Sequence, residues 1–156
     1  MSKGITIKEK IYIARSPEVV WDYTQDYSRR HLWDRSVISA RVIQEEPVRV
    51  VEIRARGRMR ARFQYKYGKR PHKTTLAMIQ VESPFVVGGG GSWVYEPESE
   101  GTWWTQVNTL ILKENLLVRL LRPMIVKQLR QGIRSSMEVA RRIIEGEERK
   151  LLAAVE

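Results

Sequence analysis

The sequence contains no cysteine, which removes disulfides, thiolate metal sites and cysteine nucleophiles from consideration together. Histidine is almost as scarce. His31 and His72 stand 41 positions apart, and neither has metal-ligand spacing to another, so no metal site is expected. Nucleophile-elbow, P-loop and zinc patterns are missing too, and no cofactor is expected. No run approaches the ~20 apolar residues that cross a bilayer. The first apolar segment alternates with charges and does not form a signal-peptide core, so the expectation is a soluble cytoplasmic protein. Acidic residues are few beside basic ones, 18 Asp and Glu against 28 Lys and Arg, for a formal net charge of +10. That balance permits attraction to phosphate-bearing partners without identifying one; a solvated basic surface explains it equally.

What is present begins with an alternation. Ile5, Ile7, Ile11 and Ile13 fall on one face of the opening segment, the period-2 pattern of a half-buried strand. Ser16-Pro-Glu-Val-Val-Trp-Asp22 follows directly. Ser16 is a favoured N-cap, Pro17 suits the first helical position, and Glu18 lies where the helix dipole favours an anion. Residues 25 to 36 read as a second short helical or turning segment. Strands are predicted over 37–44, 48–55, 59–67 and 74–81, with a final pair over 93–95 and 103–112, punctuated by Pro47, Gly57, Pro71, Pro84 and Gly101. Successive strands with short turns and no crossover helices imply an antiparallel sheet.

From Leu116 to about Glu145 the period becomes 3.6. Leu117, Leu121, Met124, Ile125, Leu129, Ile133, Met137, Ala140 and Ile144 form one apolar stripe, and Pro123 either kinks this helix or splits off a short first one. A charged tail, 147–156, follows the 1–146 domain and is expected to fray. In the strand from Met59, the side chains of Ala61, Phe63, Tyr65 and Tyr67 share one face, and Arg58, Arg60, Arg62 and Lys66 share the other. A greasy sheet face needs a cover, and the long helix is the element large enough to supply it. The fold class is therefore α+β.

With that order of elements, the chain resembles the START-like superfamily (SRPBCC, or Bet v-like), and within it the bacterial polyketide cyclase/dehydrase and lipid-transport type. The resemblance rests on Ile13-Ala-Arg-Ser-Pro-Glu-Val-Val-Trp-Asp22, on Trp33, on Gly101-Thr-Trp-Trp-Thr105, and on Leu121-Arg-Pro-Met124 through Met137. It implies a helix-grip fold: a curved antiparallel sheet of about six or seven strands wrapped on the C-terminal helix around an apolar cavity, with two short helices closing one end. Trp103 and the basic segment at 56–62 depart from the family pattern.

A binding role would place Phe63, Tyr65, Met78 and Trp33 along the pocket, with Leu129, Ile133 and Met137 as its helical lid. If the face carrying Trp104, Gln106 and Asn108 points inward, the two amides supply the few polar contacts that orient a ligand in an apolar site. The expected partner is a small hydrophobic molecule such as a lipid, isoprenoid or polycyclic aromatic. A cyclase or aromatase is the alternative, with His31 and Tyr65 as candidate acid/base groups. A basic module for an anionic membrane or a ribosomal or RNA partner is a third reading. Nucleic acid is disfavoured, because Phe63 and Tyr65 lie on the face opposite the arginines and single-strand binding needs both together. Asp22 and Asp26 read as a solvated i, i+4 pair, Asp34 falls beside His31 and Trp33 at the expected cavity mouth, and Gly88 to Gly91 read as a flexible turn or gate loop. Leu116, Leu117, Val118, Leu120 and Leu121, with Arg119 and Arg122, suit either helix packing or a membrane interface.

Overall fold

The computed structural model describes residues 4–155, with the side chains at 67, 68 and 147–155 outside that description. Strand β1 (Ile5–Ile13) leads into α1 (Pro17–Thr24), a 3-10 turn (Tyr27–Arg29) and α2 (Arg30–Trp33). Six strands follow: β2 (Val37–Gln44), β3 (Arg49–Ala55), β4 (Met59–Lys69), β5 (Lys73–Glu82), β6 (Val86–Glu98) and β7 (Gly101–Leu112). Helix α3 (Leu116–Val155) closes the chain. The strands form one antiparallel sheet in the order β1-β7-β6-β5-β4-β3-β2. Each strand pairs with its sequence neighbour except β1, which crosses to join β7.

Helix α1 starts as its residues dictate. Ser16 is extended and its hydroxyl accepts from the Val19 amide, with Pro17 at the first helical position and Glu18 in the first turn. The helix closes one end of the sheet, the end holding Ile13, Gly101 and Lys73. Its Asp22 carboxylate takes two hydrogen bonds from Arg70, on the turn between β4 and β5. The far end of the sheet carries the start of β1, the β3–β4 hairpin, the β5–β6 loop and the β7–α3 junction. Helix α3 runs from that far end to the capped end, over the inward face of β1. Its Val118 and Leu129 pack with Ile5, Ile7 and Leu112, and Met137, Ala140 and Ile144 with Ile11, Ile13, Val20 and Trp21.

Three expectations change. Gly88–Gly91 are part of β6, paired on one side with β7 and on the other, through Gly90 and Gly91, with β5. A Cβ on Gly90 would come within 2.8 Å of the Leu76 carbonyl oxygen, and one on Gly91 would meet the Val107 carbonyl. The glycines therefore permit close approach of neighbouring backbones. Pro123 lies inside one continuous helix, so of the two expected outcomes it does not split off a short first helix. The helix also continues past Gly146 to Val155, through Glu147, Glu148, Arg149, Lys150 and Leu151, all strong helix formers.

Candidate functional site

The sheet's inward face is most densely packed toward the capped end. Trp33, Trp93 and Trp104 meet edge to face, with centroids 5.4 to 5.9 Å apart. Tyr95 stacks on Trp104 at 6.2 Å and tilts against Trp21 at 5.1 Å. The sequence arranges this by alternation: Trp93 and Tyr95 on β6, and Trp104 and Gln106 on β7, are paired positions on one face. Trp103 takes the opposite face, against Tyr12 at 5.3 Å and under the Lys10 ammonium, with its indole nitrogen donating to Glu98.

The Tyr95 hydroxyl is part of a buried chain of hydrogen bonds. Gln25 Nε2 donates to it at 3.0 Å, Thr24 Oγ1 lies 2.7 Å away, and Thr24 donates onward to the Val20 carbonyl at 2.8 Å. Since the Thr24 proton is committed to Val20, the tyrosine proton points to Thr24 Oγ1. Burial pushes the phenol well above the ordinary tyrosine range, and the two hydrogen bonds pull it back only in part. Tyr95 is therefore structural and does not exchange protons near neutrality. The unfolded chain ionises tyrosine near pH ~10, so this contribution to stability is complete below that pH and is lost as pH rises further. Unfolding free energy should fall above pH ~10 by as much as about 1.4 kcal/mol per pH unit from this group. Tyr95→Phe should remove that component from denaturant titrations; an unchanged alkaline slope would refute the assignment.

Beside the rings lies a buried cation. Arg30 on α2 donates through Nε and Nη2 to Asp34 Oδ2, both at 2.8 Å. Its guanidinium lies 4.6 Å from the Trp93 centroid and 4.7 Å from that of Trp33. Burial is the largest single influence and disfavours this charge, but Asp34, with smaller contributions from Tyr65 and Tyr27, more than offsets it and the arginine pKa stands above its ordinary value. Asp34 Oδ1 also accepts from the Ser36 amide and hydroxyl. Asp34 is thus the buried partner of Arg30. Asp22 likewise pairs with Arg70, and Asp26 caps the 3-10 turn through the Ser28 amide.

Away from the capped end the inward face loosens. Along β5 to β7, Thr74, Trp93, Tyr95 and Trp104 are buried, whereas Leu76, Met78, Asn108 and Leu110 are only half-buried. Phe63, opposite Met78 in the register, is half-buried as well, as are Leu129 and Ile133 on α3. These side chains belong to the part of the inward face left incompletely covered, α3 packing chiefly over β1.

From the aromatic core toward this looser region runs a directional polar chain. Trp93 Nε1 donates to Asn108 Oδ1 at 3.4 Å, and Asn108 Nδ2 donates to Gln106 Oε1 at 2.9 Å. An indole N–H can only donate, so it fixes the orientation of both amides. Gln106 keeps its own N–H groups without an acceptor among the described residues. Directly opposite on β1 is Glu9, half-buried between Ile7 and Ile11.

The residues singled out from sequence are thus distributed unequally. Phe63, Met78, Asn108, Leu129 and Ile133 are half-buried on the loosely covered part of the inward side, with Gln106 buried beside Asn108, whereas Trp33, Trp104 and Met137 belong to the packed core. Tyr65 is buried edge-on against Tyr27, at 5.2 Å, in a second cluster with Val37, Val51 and Ile53. His31 is exposed on α2. Glu9 and Arg30 were missed. Glu9 had a signal, a carboxylate in the inward register of an otherwise apolar alternation. Arg30 had one too, its i, i+4 spacing to Asp34.

A family model described as polyketide cyclase / dehydrase and lipid transport matches residues 4–145. The chain belongs to this family. The solved structures it resembles agree. A Thermus thermophilus protein has 20% identity and a TM-score of 0.78, covering 92% of this chain and 99% of that one. The Zhui aromatase/cyclase of a Streptomyces species reaches the same TM-score, 0.78, at 11% identity over 92% of this chain and 94% of that one. A START superfamily protein of Mycobacterium smegmatis has a TM-score of 0.69 at 11% identity, over 94% and 98% of the two chains. No curated protein matches the sequence. At these identities the likeness speaks for the START-like fold alone. Among the described residues, no group of histidine and carboxylate side chains has the arrangement of a metal site.

Proposed function

We propose that this START-like domain binds a small hydrophobic molecule (a lipid, isoprenoid or polycyclic aromatic) in a groove between sheet and α3. One observation carries the reading: Phe63, Met78 and Leu110 on the inward face of the sheet, and Leu129 on the helix above it, all stay half-buried. A core with nothing to bind closes over such residues, because each unburied methylene forfeits about 0.8 kcal/mol. The free N–H groups of Gln106 would take an acceptor oxygen of the ligand and so set its orientation. Binding is preferred to cyclase chemistry because, among the described residues, the two acid/base candidates are placed against it: His31 lies at the surface and Tyr65 is packed against Tyr27.

Mass spectrometry under native and then denaturing conditions tests this. A mass above that of the bare chain, lost on denaturation, is the expected result, and the released molecule gives the ligand class. Met78→Trp should fill the groove and lower uptake of a lipophilic fluorophore by about tenfold, roughly 1.4 kcal/mol of binding. A bare-chain mass, together with no fluorophore uptake by the unmodified protein, would sink the reading.

A further inference from the structure

The two features that stood apart in the sequence, the arginines of 54–62 and the leucines of 116–121, come together at the far end of the sheet. Helix α3 begins there with apolar residues on two sides. Val118 is buried against Ile5, Ile7 and Leu112. Leu116, Leu120 and Met124, one above the other at i, i+4 and i+8 with Leu117 alongside, are instead 50–71% exposed. The neighbouring β5–β6 loop adds Phe85, 41% exposed, and Val87, 47% exposed. The loop is tied to the helix start by the Lys113 amide, which donates to the Phe85 carbonyl at 2.7 Å. Scattered exposed leucines need no explanation, but a contiguous patch of this kind marks an interaction surface.

Its surroundings are cationic. Lys113, just before the helix, and Arg119 and Lys127 on it flank the apolar row. The β3–β4 hairpin ends at the same edge, because Arg60 at the start of β4 pairs with Glu82 at the end of β5. That hairpin exposes Arg54, Arg58 and Arg60, and sets Arg54 directly opposite Arg60. Like charges in direct cross-strand opposition destabilise a hairpin. None of these three arginines has an ion-pair partner among the described residues. The only acids in the segments 54–60, 80–87 and 113–127 are Glu82 and Glu114.

We propose that this end of the molecule docks on an anionic lipid membrane, with the side chains of Leu116, Leu117, Leu120 and Phe85 entering the headgroup boundary and the arginines meeting lipid phosphates. An interfacial surface combines those two properties, an apolar strip and a basic margin. A second copy of the chain fits the strip but not the margin, since an isologous contact would bring one set of cations against the other. RNA fits the margin but not the strip, since stacking requires aromatic faces and Phe85 is the one aromatic residue there. The inference is independent of what the domain binds between sheet and α3.

Sedimentation of the full chain with vesicles tests it, comparing phosphatidylcholine alone with phosphatidylcholine containing roughly a quarter phosphatidylglycerol. Binding to the anionic vesicles, at least tenfold weaker on neutral ones and weakened by raising salt toward ~0.15 M, is expected. Leu116→Ser with Leu120→Ser, and separately Arg54→Ser with Arg58→Ser, should each reduce it by about tenfold. All four positions are exposed, so thermal unfolding and fluorophore uptake should stay as in the parent, separating this result from a failure of ligand binding. Three results overturn the proposal: no vesicle binding at low salt; vesicle binding that the leucine changes leave intact; or loss on leucine substitution of a dimer that never binds vesicles. RNA binding without vesicle binding also overturns it.

Discussion

Trp104→Ala is expected to lower the unfolding free energy by about 3–5 kcal/mol, the cost of truncating a large aromatic inside a core that relaxes only partly. Trp104 is fully enclosed by Trp33, Trp93 and Tyr95. Those partners come from α2 and β6, so the site cannot collapse without moving two elements. Trp104→Phe distinguishes the reasons. It keeps a ring and removes an indole N–H that has no hydrogen-bond partner, so its cost should stay below about 1.5 kcal/mol. Urea titration of both variants reads the difference. A loss under about 1 kcal/mol for the alanine variant would mean that the rings do not form a rigid core.

Asp34→Ala is the second large effect, with an expected loss of about 3–5 kcal/mol. The change removes the counter-charge of a guanidinium held against Trp33 and Trp93, leaving a buried and uncompensated cation. It also removes the acceptor for the Ser36 amide and hydroxyl, which shape the entry into β2. The test is a double-mutant cycle. Arg30→Met in the Asp34→Ala background should restore stability, because the costly species is the lone charge and not the absent pair. Were Arg30→Met to add its own full loss, the two residues would be acting independently and the electrostatic account would fail.

The sequence showed some parts of this site and hid others, for identifiable reasons. The opposite faces of Trp103 and Trp104 follow from strand alternation alone, and the structure places them as that alternation requires. The inward register of Gln106 and Asn108 follows from the same parity once Trp104 is known to face the core. The misreading of Gly88–Gly91 came from the ordinary association of glycine with turns. Only the positions of β5 and β7 on either side reveal why the side chains are missing. The enclosure of Asp34 is not legible in the sequence, because a carboxylate's partner can be recognised from spacing but its burial cannot. The opposite cases are His31, beside Trp33 in the chain yet exposed, and Arg30, nearer still to charged neighbours yet enclosed.

Periodicity by itself determined the element types, their order, the amphipathic helix and the family likeness, because those depend on residues a few positions apart. Alternation and 3.6-residue spacing are local properties that any window of the chain displays. The tertiary structure alone decided which inward side chains are packed and which remain incompletely covered. It alone also brought the arginines of the β3–β4 hairpin to the same end as the exposed leucines of α3. Both outcomes depend on which distant segment arrives at a surface, and burial is a property of that encounter and not of the residue. Phe63 and Tyr65 make the point: they are neighbours on one face of one strand, but Tyr65 meets Tyr27 and is enclosed, while Phe63 stays half-buried where the inward face is incompletely covered.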